Sequence, residues 1–248
     1  MSRMTRWGLL GLLTLSISGA VAVPAQAGSL DIGANPAILV GHNEVGKGIA
    51  LSLTFTKTDA QLGFALCTTA SYEGTVQQLP QQPTQNAAEA TITPTYGKTQ
   101  TGLNECVVGN LGEAQIKMNG CKYTLTGTGQ AANTFQVDIA GCTAGKQIEI
   151  KATGCTLHIG EHSGLSHVVA ANVAGGQEIT LQVKMSPIKI LQTGAACPDG
   201  NNHQSTDGLL QGNILVKAFK DAGNTTVTKH GHQYQEGVRG EQVSLTST

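Results

Sequence analysis

Charge and aromatic rings are what this chain has least of. Charged residues make up 12% and aromatic residues 4% of its 248 positions, and there is one tryptophan. An average globular domain carries about 25% charged residues, so this surface must be built largely from uncharged polar side chains. Fifteen Lys and Arg stand against 16 Asp and Glu. That balance leaves no basic field of the kind a nucleic-acid binder needs, so nucleic acid is not expected as a partner. Disorder is excluded too, because disordered segments combine low hydrophobicity with high net charge. Here 40% of residues are hydrophobic and the net charge is −1. The shortage of rings also argues against sugar stacking and against an outer-membrane barrel, which needs two aromatic girdles. Beyond the N-terminus no apolar run approaches the roughly 18 residues of a membrane-spanning helix.

The N-terminus itself has a three-part pattern. Arg3 and Arg6 form a basic start, Trp7 to Val23 an apolar stretch, and Ala25-Gln26-Ala27 an A-x-A cleavage signal. Residues 1–27 therefore read as a secretory signal peptide, with export through the Sec pathway to the cell envelope or the medium. Thr14, Ser16, Ser18 and Gly19 interrupt the apolar stretch, which disfavours a membrane anchor, so no membrane insertion is expected after cleavage. Gly28 follows the cut, so no lipidated cysteine is expected. Cleavage would remove two arginines and the only tryptophan, leaving 13 basic against 16 acidic residues, a net charge of −3.

All six cysteines lie after that cut: Cys67, Cys106, Cys121, Cys142, Cys155 and Cys197. An even number in an exported chain reads as three disulfides, with fifteen pairings possible. A metal site would want C-x-x-C pairs, which are absent. If the chain folds back locally, Cys106 pairs with Cys121 and Cys142 with Cys155, leaving Cys67 for Cys197. That is the connectivity we expect.

What the chain has in abundance is alternation of period two, the mark of strands with one buried face. Leu51, Leu53 and Phe55 alternate with polar neighbours, as do Ala114, Ile116 and Met118. So do Cys121, Tyr123 and Leu125, then Phe135, Val137 and Ile139, then Ile179, Leu181 and Val183. The fold class is all-β, a disulfide-stapled antiparallel β-sandwich-like domain with a core of Val, Ile, Leu, Ala and Thr; a large ligand-binding barrel fits less well. Asn119-Gly120 predicts a tight type I′ hairpin, because both residues tolerate positive φ. Asp221 to Asn224 predicts a longer hairpin loop. The polar stretch Gln77–Asn86 reads as a loop too short to separate domains. One β-rich domain is expected over 28–228, followed by a polar C-terminal tail, 229–248.

Signals for chemistry are sparse. Glu161-His162-Ser163-Gly164 only superficially resembles a nucleophile motif, and adjacent residues of an extended chain point to opposite faces. It reads as a loop after a strand ending at Ile159. His230 and His232 would share one face of a strand, a workable pair of metal ligands that still lacks a third. His158, His162 and His167 make a looser group. Asp199, Asn201 and Asp207 are the nearest approach to calcium ligands, without the spacing of a calcium loop, and a plain turn is the simpler reading. No cofactor is expected. Three Gly-Cys dipeptides, at 120–121, 141–142 and 154–155, read as tight backbone turns beside disulfides.

The stretches CTTASYEGT (Cys67–Thr75), TPTY (Thr93–Tyr96), KMNGCKYTL (Lys117–Leu125) and GCTAGKQIEI (Gly141–Ile150) resemble a family of uncharacterised secreted proteins from soil actinobacteria. The resemblance covers about residues 48–220. It implies a shared bacterial, cysteine-bearing fold and brings no catalytic residues with it. Together these readings favour a non-catalytic exported module, structural or protein-binding, that contacts a protein or cell-surface partner through Thr- and Gln-rich strand faces. The alternatives are a secreted hydrolase whose site is assembled from distant residues, and a metal-binding protein using surface histidines.

Overall fold

The structure, a computed structural model, describes residues 30–32, 37–43, 51–56, 62–78, 88–97, 106–127, 133–229, 232–243 and 245–247. The expected signal segment, 1–27, lies outside them. Alternation of apolar and polar residues has become strand nearly everywhere, as period two requires. The described chain is all-β, antiparallel and disulfide-linked.

The path of the chain has a rule. After β1 (Leu30–Ile32), β2 (Ala37–Asn43) enters one group of strands, while β3 (Leu51–Thr56) and β4 (Leu62–Cys67) enter a second. The next pair, β5 (Ala70–Gln78) and β6 (Ala88–Tyr96), returns to the first group. The pair β7 (Cys106–Val108) and β8 (Glu113–Lys117) goes to the second. Alternation continues with β9 (Lys122–Gly127) and β10 (Thr134–Ala140), then β11 (Ile148–Ala152) and β12 (Cys155–Ile159), then β13 (His162–Asn172). Two long strands, β14 (Glu178–Thr193) and β15 (His203–Lys229), belong to both groups.

Each group closes on itself. The first runs β15–β2–β5–β6–β9–β10–β13–β14 and back to β15. The second runs β15–β3–β4–β7–β8–β11–β12–β14 and back to β15. Two antiparallel rings thus sit end to end along the shared pair. Apart from a narrow slot in the first ring, each interior is packed with side chains, so opposite walls meet face to face as the sheets of a sandwich do. Closure is not legible from composition, on which a large ligand-binding barrel fits less well than a sandwich.

Serving two rings poses a register problem for β14. Ile179, Leu181 and Met185 are buried at odd positions, whereas Ile188, Ile190 and Gln192 are buried at even ones. The ladder with β15 slips between Met185 and Ile188, at Ser186-Pro187, and again between Ile188 and Ile190. An extra residue on one strand reverses which face points inward. The first slip therefore lets one strand bury apolar side chains in both rings.

The disulfides are not those expected. Cys67 pairs with Cys106, Cys121 with Cys142, and Cys155 with Cys197. The expected connectivity, 106–121, 142–155 and 67–197, assumed that the chain turns back locally, whereas it crosses to the other ring at those points. Cys67 and Cys106 face each other directly in the β4–β7 ladder. Cys121 and Cys142 flank the end of the β9–β10 ladder, just beyond Lys122 and Ala140. Asn119-Gly120 does form a turn with φ of 50° and 84°, closed by the Cys121 amide donating to the Met118 carbonyl. Yet β8 and β9 do not pair: β8 joins β7 and β11, and β9 joins β6 and β10. The turn chemistry is right and the hairpin is absent. The glycines of the three Gly-Cys pairs do adopt positive φ, and a Cβ on Gly120 would lie 2.8 Å from the Thr143 hydroxyl.

Two further expectations change at the C-terminal end. Asp221 to Asn224 is not a reversal, because β15 runs through it, with Asp221 opposite Arg239 and Asn224 opposite Gly237. The ladder is irregular there, so residues typical of turns are accommodated as a bulged stretch of strand. The segment 229–248, expected as a tail, contributes β16 (His232–Val243) to the sheet, and β17 (Leu245–Ser247) pairs with β1.

Peptide mapping of the non-reduced protein should recover the three sequential bridges. The Cys121→Ser/Cys142→Ser double variant should lose about 3 kcal/mol in urea unfolding, the chain-entropy value for a loop of that size.

Candidate functional site

On the outer wall of the second ring, one register row crosses five neighbouring strands. Lys117 on β8 lies opposite Glu149 on β11, which faces His158 on β12. His158 faces Leu191 on β14, and Leu191 faces Gln204 on β15. Strand spacing makes that row about 19 Å long. Above it open two concavities of about 540 and 360 Å³, both bordered by Gln147, His158 and Leu191. They form one polar groove with an exposed leucine in its floor. Lysine and glutamate lie at both ends: Lys117, Lys146 and Glu149 at one, Lys189 and Glu161 at the other. No aromatic side chain lines either part.

The groove takes in two members of the loose histidine group and part of the Glu161–Gly164 stretch. His158 and His162 both border it, as do Glu161 and Ser163. Their hydrogen bonds show what they can do. The His158 ring nitrogen Nε2 is 2.8 Å from the Thr193 hydroxyl, which in turn reaches the Thr156 carbonyl. His162 Nε2 accepts the Lys189 amide proton at 3.1 Å. That bond fixes the proton of the neutral ring on Nδ1 and occupies the nitrogen a general base would need. Partial burial, with the Lys189 charge second, holds the His162 pKa below its usual 6.5. Glu161 accepts the Cys142 amide and Asp138 accepts the Gly164 amide, so this segment ties strands together. The stretch is also not a loop, since β13 starts at His162, paired with Ile139.

The candidate calcium ligands are spent on the fold. Asp199, its side chain only 2% exposed, accepts from Gln192 Nε2 at 2.8 Å and lies 3.9 Å from His203. Asn201 caps the Gly194 amide, and Asp207 accepts the Thr56 amide. Gln192, wholly buried, anchors this network and also reaches Ser205, whose hydroxyl donates to the Thr56 carbonyl. Of the expected metal pair, His230 lies outside the described residues, and His232 opens β16 opposite Lys229. Nothing is described of the His167 side chain. Among the described residues, no group of three or more His, Cys, Asp and Glu side chains is placed to hold a metal ion.

Sequence reasoning missed one cluster altogether. Tyr72, Tyr96 and Tyr123 lie far apart in the chain but on β5, β6 and β9, which are neighbours in the first ring. All three are buried. The Tyr96 hydroxyl donates to that of Tyr123 at 3.2 Å, and Tyr72 meets Tyr96 edge to face, with centroids 6.0 Å apart. Burial raises all three phenol pKa values, that of Tyr123 to about 12. The available signal was the parity of each tyrosine on its own strand, always on the apolar side.

Comparison of the chain with protein-family models, curated protein sequences and solved structures finds no match in any of the three. The resemblance to secreted actinobacterial proteins therefore rests on its sequence stretches alone.

Two outcomes follow. Gln192→Leu keeps the volume but takes the amide donor from a buried carboxylate, so it should cost about 2 kcal/mol in urea unfolding. His162 contributes a pH dependence whose sign is set by its lowered pKa. The unfolded chain takes up a proton near pH 6.5 before the folded protein does, so stability is full above that value and falls as pH drops through it. His162→Gln can still accept the Lys189 amide and does not titrate. Its Tm should therefore fall less than that of the parent between pH 7.5 and 5.5.

Proposed function

We propose that this chain is an exported, non-catalytic β-scaffold that binds an extended segment of a protein partner in the groove beside His158. The groove carries the reading. It is polar and follows a row of five strands, with hydrogen-bonding side chains along its walls and charges of both signs at its ends. Leu191, 36% exposed in the middle, offers one apolar anchor point. An extended peptide presents amide donors and acceptors along its length and a side chain at alternate positions, which suits such a channel. A sugar would ask for an aromatic face, and the groove has none.

Export is supported by the cysteines. All six are paired, and disulfides of this kind persist in oxidising compartments such as the periplasm or the extracellular medium. The non-catalytic reading is supported by the His162 Nε2, which is occupied by the Lys189 amide.

Mass spectrometry of the protein made by its own cells should find Gly28 as the first residue. In pull-downs from the same cells, Leu191→Asp should reduce recovery of a specific partner by about tenfold, the equivalent of 1.4 kcal/mol. Val107→Asp, at an exposed apolar residue outside the groove, should leave recovery unchanged. Equal recovery with both variants would remove the groove from the interaction.

A further inference from the structure

The groove beside His158 has a charge balance of its own. Among the described residues, Lys217 pairs with Glu178, Lys220 with Glu241 and Arg239 with Glu73. Lys117, Lys146 and Lys189, all exposed at the groove, stand in no ion pair with a described residue, although Glu149 is the cross-strand neighbour of Lys117. Three ammonium groups thus meet two carboxylates, a surplus of one positive charge on a chain whose net charge is −1. The surplus sits at one end, where Lys117 and Lys146 stand with Glu149 alone. At the other end Lys189 is matched by Glu161.

Distance adds a second constraint. Along the register row, Lys117 is three strand spacings from Leu191, about 14 Å, with Glu149 and His158 between them. Directly opposed residues of antiparallel strands point to one face, so all four side chains rise from the outer wall. An extended chain advances about 3.3 Å per residue and turns alternate side chains to one face, so residues four apart share a face at about 13 Å. A segment laid along the row with an aliphatic residue on Leu191 therefore brings the residue four positions away onto the end bordered by Lys117 and Lys146. The residue midway between them comes down beside Glu149 and His158, where a second carboxylate would be repelled and a hydroxyl or amide would not.

We infer that the groove selects an extended segment in which an acidic residue stands four positions from an aliphatic one, the aliphatic side chain on Leu191 and the carboxylate between Lys117 and Lys146. This rests on the groove being the partner's docking site, and it names what that partner presents. At an exposed site the charge match chiefly sets which segments are accepted and how fast they arrive, and salt weakens it. A basic residue at the same position adds to the positive surplus and is rejected.

Selection from a displayed library of random dodecapeptides on the disulfide-bonded protein tests this, with peptides that also bind the Leu191→Asp variant removed. The surviving peptides should carry Asp or Glu four positions from Leu, Ile, Val or Met far above the library frequency. One of them, synthesised, should bind Lys117→Glu/Lys146→Glu about tenfold more weakly than the parent, and its acid-to-lysine version should show the reverse preference. Lys122→Glu/Lys184→Glu, which changes the net charge equally at exposed lysines outside the groove, should leave its affinity unchanged. Survivors without the acidic position, or a loss at Lys117 and Lys146 no larger than at Lys122 and Lys184, would overturn the inference and leave the groove as the docking site. Recovery of no peptide that depends on Leu191 would overturn both.

Discussion

Everything in this architecture depends on β14 and β15 being hydrogen-bonded to each other while each ring closes through them. Strands of 16 and 27 residues far exceed the usual five or six. Their length has a use: one end of the pair seals the first ring and the other end seals the second. Closure matters because an open sheet edge exposes unpaired amides and carbonyls to any passing chain. In the rings every strand has a neighbour on both sides, so their backbone polar groups are satisfied without help from helices. The slip at Ser186-Pro187 makes the sharing possible, since without it one half of β14 would turn its isoleucines to solvent.

The same constraint explains where the cysteines lie. A chain that alternates between two rings must cross the waist between them repeatedly, and each crossing is a stretch without ladder bonds. Cys67 ends β4 just before one crossing, and Cys106 begins β7 just after the return. Cys121 and Cys142 hold the next pair of crossings together in the same way. The bridge from Cys155 to Cys197 fastens the start of β12 to the turn that follows β14. Buried polar contacts reinforce that last region, with Gln192 binding Asp199 from within the second ring. Cross-links are thus concentrated where hydrogen-bond ladders stop, which is why a chain large enough to bury a core still carries three of them.

Period-two patterning is a local property, and it located the strands well: the runs at Leu51, Ala114, Phe135 and Ile179 are all strands. Partnership is not local. Asn119 and Gly120 took the dihedrals their side chains favour, but the strands they join were claimed by different rings. The disulfide connectivity failed for the same reason, since closeness in sequence stood in for closeness in space. His158 and His162 were noted for their chemistry, yet what they can do depends on the Thr193 hydroxyl and the Lys189 amide, which come from a distant strand. The tyrosine cluster required knowing that β6 lies between β5 and β9.

Scarcity of aromatic rings takes on a different meaning once those positions are known. Phe55 and Phe135 are wholly buried, and three of the four tyrosines meet in one place. Most of the remaining core is aliphatic and packs closely without rings. Phenols are costly choices for a core, because each brings a hydroxyl that must find a partner away from water. Phenylalanine at the same three positions would fill the wall without that demand. Retaining hydroxyls there is therefore a departure from plain core chemistry, and it coincides with the slot between the ring's two walls. The second ring departs in the opposite place: its interior is closed around Phe55 and the Gln192 network, and its concavity is outside, polar and lined by charges. One fold thus presents two concavities of opposite character, held apart by the shared strands that build them both.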